Sequence, residues 1–347
     1  MRVVPSNSIK PALHGFCLLL LSSGLLFLQG CGCGFDCNNG NNPGNQDPAS
    51  FTLGFSDEAL EQLKQVVIEV EQIAFTRNVG ENVIVETFTI NDLGVTDAES
   101  FQVDLLQYRG LNQLLVIENL ELASQTYSNI ELTILKGDVN HSYVQESDDS
   151  LKQLNISGST LRLPGMDLGS DKQTYTAVFS LARALQYQQG SDTYLLATNG
   201  LRLQDNSVSA SLTGRVDNSL FDTESPCDAK EDPELGNRIY IYQGTGLSAS
   251  ALGDVFTSSS STDIPDGTVA PFSVATLAED VLTGNWQYAF GFLPAGDYTL
   301  AFSCDTQDDD PVDFDDFDIP LPADQVYEIS LDEREKGICD LDEGASC

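Results

Sequence analysis

Residues 66–75 read VVIEVEQIAF. Val67, Glu69 and Glu71 alternate with Ile68, Val70 and Gln72, and Ile73 follows. A period of two puts successive side chains on opposite faces, so this stretch predicts a half-buried β-strand. The β-branched run NVIVETFTI follows at 82–90. FQVDLLQYRG comes next at 101–110, then LNQLLVIENLELASQTYSNIELTIL at 111–135. STLRLPG, QTYTAVFSL, TYLLATNGLRLQ and VSASLTGRVD extend the pattern to residue 217. Short strands broken by turn residues predict a β-sandwich. One helix is expected, at Asp57–Gln65, with Ser56 as its cap and Glu58, Glu61 and Lys64 on its polar side.

A second β region is read over 227–333. NRIYIYQGT sets Ile239 and Ile241 against Tyr240 and Tyr242. The low-complexity stretch SSSSTDIPDGTVAPFSVATL reads as a surface loop leading into a strand. NWQYAFGFLPAGDYTLAFSCD then places Trp286, Tyr288, Phe290 and Phe292 at period two. Leu293-Pro294-Ala295-Gly296-Asp297-Tyr298 reads as a tight turn. Leu122 to Tyr127 repeats that spacing, a Tyr placed six residues into a Leu-led turn. This predicts two sandwiches solving the same corner. QVYEISLD closes the sheet, and 334–347 reads as an acidic tail containing cysteine. The expected fold is mainly β: two Ig-like or transthyretin-like sandwiches, at 51–217 and 227–333.

Two resemblances accompany these patterns. The first region resembles a bacterial domain family of unknown function, DUF4382. The likeness rests on FSDEALEQLKQVVIEVEQIAF, on VDLLQYRGLNQLLVIENLELASQTYSNIELTI, and on the closing segments FSLARALQ, GSDTYLLATNGLRL and LTGRVD. That family opens with a Ser-Asp-Ala-Pro-like turn, where this chain has Phe55-Ser56-Asp57-Glu58. The resemblance implies no catalytic residues. The second region resembles the carboxypeptidase-regulatory or transthyretin-like sandwich, chiefly over Phe292 to Phe302. That likeness implies a spacer or binding module.

The first thirty residues read as an export signal. Arg2 and Lys10 precede an apolar run of 13 residues, Phe16 to Leu28. A membrane-spanning helix needs about 20. Leu28-Gln29-Gly30-Cys31 resembles the lipobox of bacterial lipoproteins. That resemblance implies that Cys31 becomes the acylated first residue and that two or more acyl chains anchor the protein. Gly32 at the next position implies the outer membrane. From 31 to 50 the chain is rich in Asn, Gly and Pro, the composition of a flexible tether.

Charge and cysteine bound the chemistry. With 16 basic and 53 acidic residues the chain stands at −37. Nucleic acid, which needs a basic face, is therefore not an expected partner. Past the signal and Cys31, six cysteines remain: Cys33, Cys37, Cys227, Cys304, Cys339 and Cys347. An even number in an exported chain predicts disulfides. Cys227 is expected to pair with Cys304 or Cys339, with Cys347 also a candidate. The densest acidic stretch holds eight carboxylates in 14 residues, Asp305 to Asp318. Asp305, Asp308, Asp309, Asp310, Asp313 and Asp315 are candidate calcium ligands, since calcium takes six to eight oxygens. The alternative is a solvated acidic loop.

Enzyme signatures are scarce. No Gly-x-Ser-x-Gly or Gly-x-x-x-x-Gly-Lys motif occurs, and His141 is the one histidine past the signal. Trp286 and its neighbours read either as a core face or as a sugar-stacking platform. The expected function is a lipid-anchored outer-membrane protein with a non-catalytic binding or structural role, toward a glycan, an envelope protein or calcium. The alternative is a lipoprotein hydrolase using paired carboxylates.

Overall fold

The computed structural model describes residues 48–58, 63–222, 227–256, 264–307, 309, 314, 317–342 and 347. Cys31, Cys33, Cys37 and the tether before residue 48 lie outside the described residues.

The chain is mainly β and has two principal hydrophobic cores. The first lies between two sheets. One sheet has four strands, in the order Leu201–Asp205, Gln173–Phe179, Pro48–Asp57 and Leu114–Ala123. The other has nine strands and is centred on Leu63–Arg77. Phe51, Leu53 and Phe55 from one sheet meet Ile68, Val70, Ile73 and Phe75 from the other, all fully buried. Phe51 packs edge-on to Phe75 with ring centroids 5.3 Å apart. A register shift between Val70 and Gln72 explains the change of phase in VVIEVEQIAF. The extra residue rotates the strand, so Ile73 and Phe75 turn inward where strict alternation would have buried Gln72.

The second core lies between two four-stranded sheets. One runs Ala278–Asp280, Asn285–Leu293, Ala210–Val216, Lys336–Ile338; the other Ser273–Thr276, Arg238–Gln243, Gly296–Ser303, Val326–Leu331. Ile239 and Ile241 face this core. Tyr240 and Tyr242 face a third, smaller cluster on the outer side of the same sheet, together with Leu252, Phe256 and Ile319. The sheet is thus buried on both faces.

Two corners are built alike. Leu114–Ala123 and Thr126–Leu135 lie in different sheets, as do Asn285–Leu293 and Gly296–Ser303. Each connection carries the chain across a sandwich. At each, a buried tyrosine donates its hydroxyl proton to the carbonyl four residues earlier: Tyr127 to Ala123 at 3.1 Å, and Tyr298 to Pro294 at 2.7 Å. The hydroxyl satisfies a carbonyl that the turn strips of ladder partners.

Four expectations are corrected. Asp57 ends one strand and Leu63 begins the next, so both ends of the expected Asp57–Gln65 helix are β; Ala59 to Gln62 lie outside the described residues. The first strand begins at Pro48, inside the expected tether. Ala210–Val216, assigned to the first region, pairs with Asn285–Leu293 and Lys336–Ile338 and packs in the second core. The acidic tail contributes the Lys336–Ile338 strand and buries Cys339 and Leu341 there. The disulfides are Cys227–Cys304, whose Cα atoms are 5.5 Å apart, and Cys339–Cys347.

Candidate functional site

The two main cores meet along a joint. Ser56 and Asp57 close the first strand and hold the loop Tyr108–Asn112. The Ser56 hydroxyl lies 2.7 Å from the Asn112 carbonyl and 3.0 Å from that of Tyr108, and donates to them. The Asp57 amide donates to the Tyr108 carbonyl at 2.7 Å. Two of the stretches that carry the DUF4382 resemblance are therefore bound to each other here. Gly110 sits at the loop's apex with φ 63°. It lies against Ala289 and Gly291 of the second core, and a Cβ at Gly291 would run into the Gly110 carbonyl oxygen. Only glycine permits so close a backbone approach.

Charged groups fix the same joint. Arg202 donates through Nη1 to the Phe292 carbonyl and through Nη2 to Glu58 Oε1 at 3.0 Å. Its guanidinium carbon stands 5.2 Å from the centre of the Phe272 ring. Phe292 itself is held at φ 53°, a conformation uncommon for a bulky residue. The strand departs from strict alternation there: Tyr288 and Phe290 are buried, then Leu293 in place of Phe292. Arg183 Nη2 donates to the Pro271 carbonyl at 2.9 Å, and Ala182 joins the small tyrosine cluster of the second half. Asp57 is buried in this joint. No well-formed hydrogen bond reaches either of its carboxyl oxygens, and the amides of Glu58 and Leu181 approach them only loosely. Burial pushes its carboxyl well above the usual carboxylate range, and neighbouring Glu58 adds to the shift. Arg109 and the amides of Glu58 and Leu181 oppose it less.

Beside the joint opens a groove of about 1030 Å³. One wall is Leu106 to Asn112. The other comes from Thr213 to Arg215, Glu234, Thr276 to Ala278, Gln287 to Ala289, Ile338 and Asp340. A second hollow of about 470 Å³ continues from it past Arg215 and Asp340 to Asn218, Asn285 and Trp286. Arg215 and Asp340 form a latch between the two: the Arg215 amide donates to Oδ1 at 2.8 Å, and Nη2 to Oδ2 at 2.9 Å. These side-chain and backbone bonds hold the Asp340 carboxyl below its usual range. Trp286 is half-buried, with its ring edge-to-face on Phe221 at 6.1 Å. Near its end of the groove, Val281 and Leu282 stand almost fully exposed at a hairpin tip.

The sequence candidates fall elsewhere. Asp309 turns inward, where its carboxylate takes a bond from Arg238 Nη1 and one from the Tyr240 hydroxyl at 2.7 Å. A carboxylate committed to a buried guanidinium is a poor calcium ligand, so Asp309 is removed from that set. Asp305 is exposed, and Asp308, Asp310, Asp313 and Asp315 lie outside the described residues. Among the described residues no group of three His, Cys, Asp or Glu side chains could hold a metal ion. His141 Nδ1 lies 2.8 Å from Glu69 Oε2 on the rim of the nine-stranded sheet, away from the groove. The groove residues Gln107, Asn112 and Gln287 carried no signal in the sequence.

Residues 48–198 match a family model described as "Domain of unknown function (DUF4382)". No curated protein sequence matches the chain. Among solved structures, the Bacillus anthracis TIE protein is similar at 8% identity and a TM-score of 0.18, over 85% of this chain and 34% of that one. A leucine-rich repeat protein from Bacteroides thetaiotaomicron shows 11% identity and a TM-score of 0.20, over 86% and 26%. A fimbrial protein from Bacteroides ovatus shows 7% and 0.18, over 87% and 50%. This chain thus spans about a third of the first and about a quarter of the second. At such TM-scores these likenesses carry no argument about function.

Proposed function

We propose that this chain is a non-catalytic binding protein, held at the outer membrane of a bacterium by acyl chains on Cys31, and that the groove between its two cores is the binding site. The groove carries the reading. It is concave, draws its walls from both cores, and sits on a joint that Arg202, Gly110 and Arg183 hold in one geometry. Ligand sites favour such concave places between packed units, where hydrogen-bonding groups converge on a partly apolar surface.

A hydrolase would need two carboxylates that both reach a substrate. Asp57 and Glu58 are the adjacent pair with a raised acid, but they are 2% and 5% exposed and packed in the joint. In the groove the carboxylates of the lining are Glu234 and Asp340, and Asp340 is already bound by Arg215. Calcium enters this reading only through Asp305 and the aspartates outside the described residues. A thermal melt with calcium and with chelator decides it: an unchanged midpoint removes the cation.

Two measurements test the main reading. Full-length protein should partition into the detergent phase, and Cys31→Ser should move it to the aqueous phase; a variant still in detergent defeats the anchor. Ala278→Trp places a bulky ring at an exposed position of the groove wall. In the Cys31→Ser background, where no acyl chain holds the protein to membrane, it should abolish retention on isolated envelope fragments without lowering the melting temperature. Retention equal to that of Cys31→Ser alone overturns the groove as the site.

A further inference from the structure

We propose that the groove takes a neutral carbohydrate chain, running from Asn112 to Trp286; this rests on the reading that the groove binds a ligand. Four observations carry it. First, Asn112, Gln287, Asn285 and Asn218 present side-chain amides along its length, and Gln107, whose Nε2 donates to Asp104 at 3.2 Å, adds a fifth. An amide both donates and accepts, as a sugar hydroxyl does, and five amides spaced along one channel suit a chain of hydroxyl-bearing rings. Second, the charges give a polyanion no basic track. The lining sets Arg109 and Arg215 against Glu234 and Asp340, Arg215 is bonded to Asp340, and Asp217 and Asp342 line the far end of a molecule that carries −37 overall.

Third, the floor disfavours a peptide. Extended peptides bind β-proteins by adding a strand to an open sheet edge. The floor strands Ala210–Val216 and Asn285–Leu293 are paired on both sides, the first with Asn285–Leu293 and Lys336–Ile338, the second with Ala210–Val216 and Ala278–Asp280. On these two strands recognition comes from side chains, and the sheet's outer strands, Ala278–Asp280 and Lys336–Ile338, reach the groove through Ala278 and Ile338 alone. Fourth, Trp286 ends the channel with its ring orientation fixed by Phe221. The indole packs partly on the second core, and its remaining exposed part offers an apolar surface at a hydrogen-bonding site, the combination that a sugar ring needs for its C–H face and its hydroxyls.

The chain has one tryptophan, so its emission reports this site directly. Full-length protein in detergent is titrated with cellohexaose, xylohexaose, mannohexaose, maltohexaose and chitohexaose, with hyaluronan hexasaccharide as the polyanion. At least one neutral hexasaccharide should change Trp286 emission saturably, and hyaluronan should not. Asn112→Ala and Gln287→Ala, both at exposed positions, should each weaken that binding at least tenfold at an unchanged melting temperature. If no neutral hexasaccharide changes the emission or gives heat in calorimetry, the carbohydrate proposal falls. If extended peptides bind instead and those two variants abolish it, carbohydrate is wrong while the groove stands as a binding site. If a hexasaccharide binds both variants as tightly as the unmodified protein, the sugar site lies elsewhere, and both this proposal and the groove reading fall.

Discussion

Replacing Arg202 by methionine keeps an apolar stem and removes the guanidinium that ties the two cores together. The Glu58 side chain is 4% exposed and that of Arg202 21%. Breaking a buried ion pair from one side costs about 3–5 kcal/mol, because the remaining charge is left without compensation. Arg202 keeps some solvent contact, so the low end, about 3 kcal/mol, is the expected loss. The Phe292 carbonyl loses its donor and Phe272 its cation at the same time. Urea unfolding of the full-length protein measures the cost, followed by Trp286 emission for the second core and by circular dichroism for the whole. In the unmodified protein the two probes should give one coincident transition. In Arg202→Met the transition should move to lower urea, and the probes should separate as the cores uncouple. Adding Glu58→Gln removes the orphaned carboxylate, so the double variant should regain about 1–2 kcal/mol over Arg202→Met alone. A loss below about 1 kcal/mol, or a double variant no better than the single, would refute the view that this pair locks the joint.

The disulfides should rank by the loop each closes. Cys227–Cys304 spans 77 residues and Cys339–Cys347 spans 8. Chain entropy predicts losses of about 4.5 kcal/mol for Cys227→Ser and about 2.5 kcal/mol for Cys347→Ser. Thermal melts that reverse this order would contradict the entropic account. Asp57 supplies a pH test. Its carboxyl is raised in the folded state, so the native protein holds that proton more tightly than the unfolded chain does. Stability from this group is full below the unfolded value of about 3.9 and is lost as pH rises toward the folded value. Asp57→Asn removes the loss. The variant should gain on the unmodified protein between pH 4 and pH 7, as read from urea midpoints, and a gap independent of pH would mean that Asp57 is not the titrating group.

The strands were legible because their physics is local. Ile239 and Ile241 against Tyr240 and Tyr242 is a period of two, and the structure places the pairs on opposite faces. Tyr127 and Tyr298 were legible as equivalent corners because each bonds only four residues back. Ser56 misled for the opposite reason. A serine followed by acidic residues is the signature of a helix cap, but this hydroxyl is used by carbonyls 52 and 56 residues away. The partner of Ala210–Val216 was hidden in the same way. Its sequence specifies a strand, whereas the sheet it joins is set by pairing with Asn285–Leu293 and Lys336–Ile338, partners far along the chain, with Arg215 meeting Asp340 across 125 residues.

The groove was illegible for a further reason that bears on how such sites arise. Asn112, Gln107 and Gln287 are ordinary surface residues in the sequence, and nothing in their spacing sets them apart. They become a site only because Gly110 and Gly291 let two backbones touch, which brings the Tyr108–Asn112 loop against the Asn285–Leu293 strand. Substituting Gly291 by alanine puts a methyl group where the Gly110 carbonyl oxygen lies. Overpacking of this kind costs about 1–3 kcal/mol and is relieved by backbone movement. That movement would spread the two walls while leaving every groove side chain in place. Gly291→Ala should therefore lose ligand binding more completely than Asn112→Ala, although it removes no contacting group. If Gly291→Ala binds normally, the site belongs to one core alone and the joint is only a spacer.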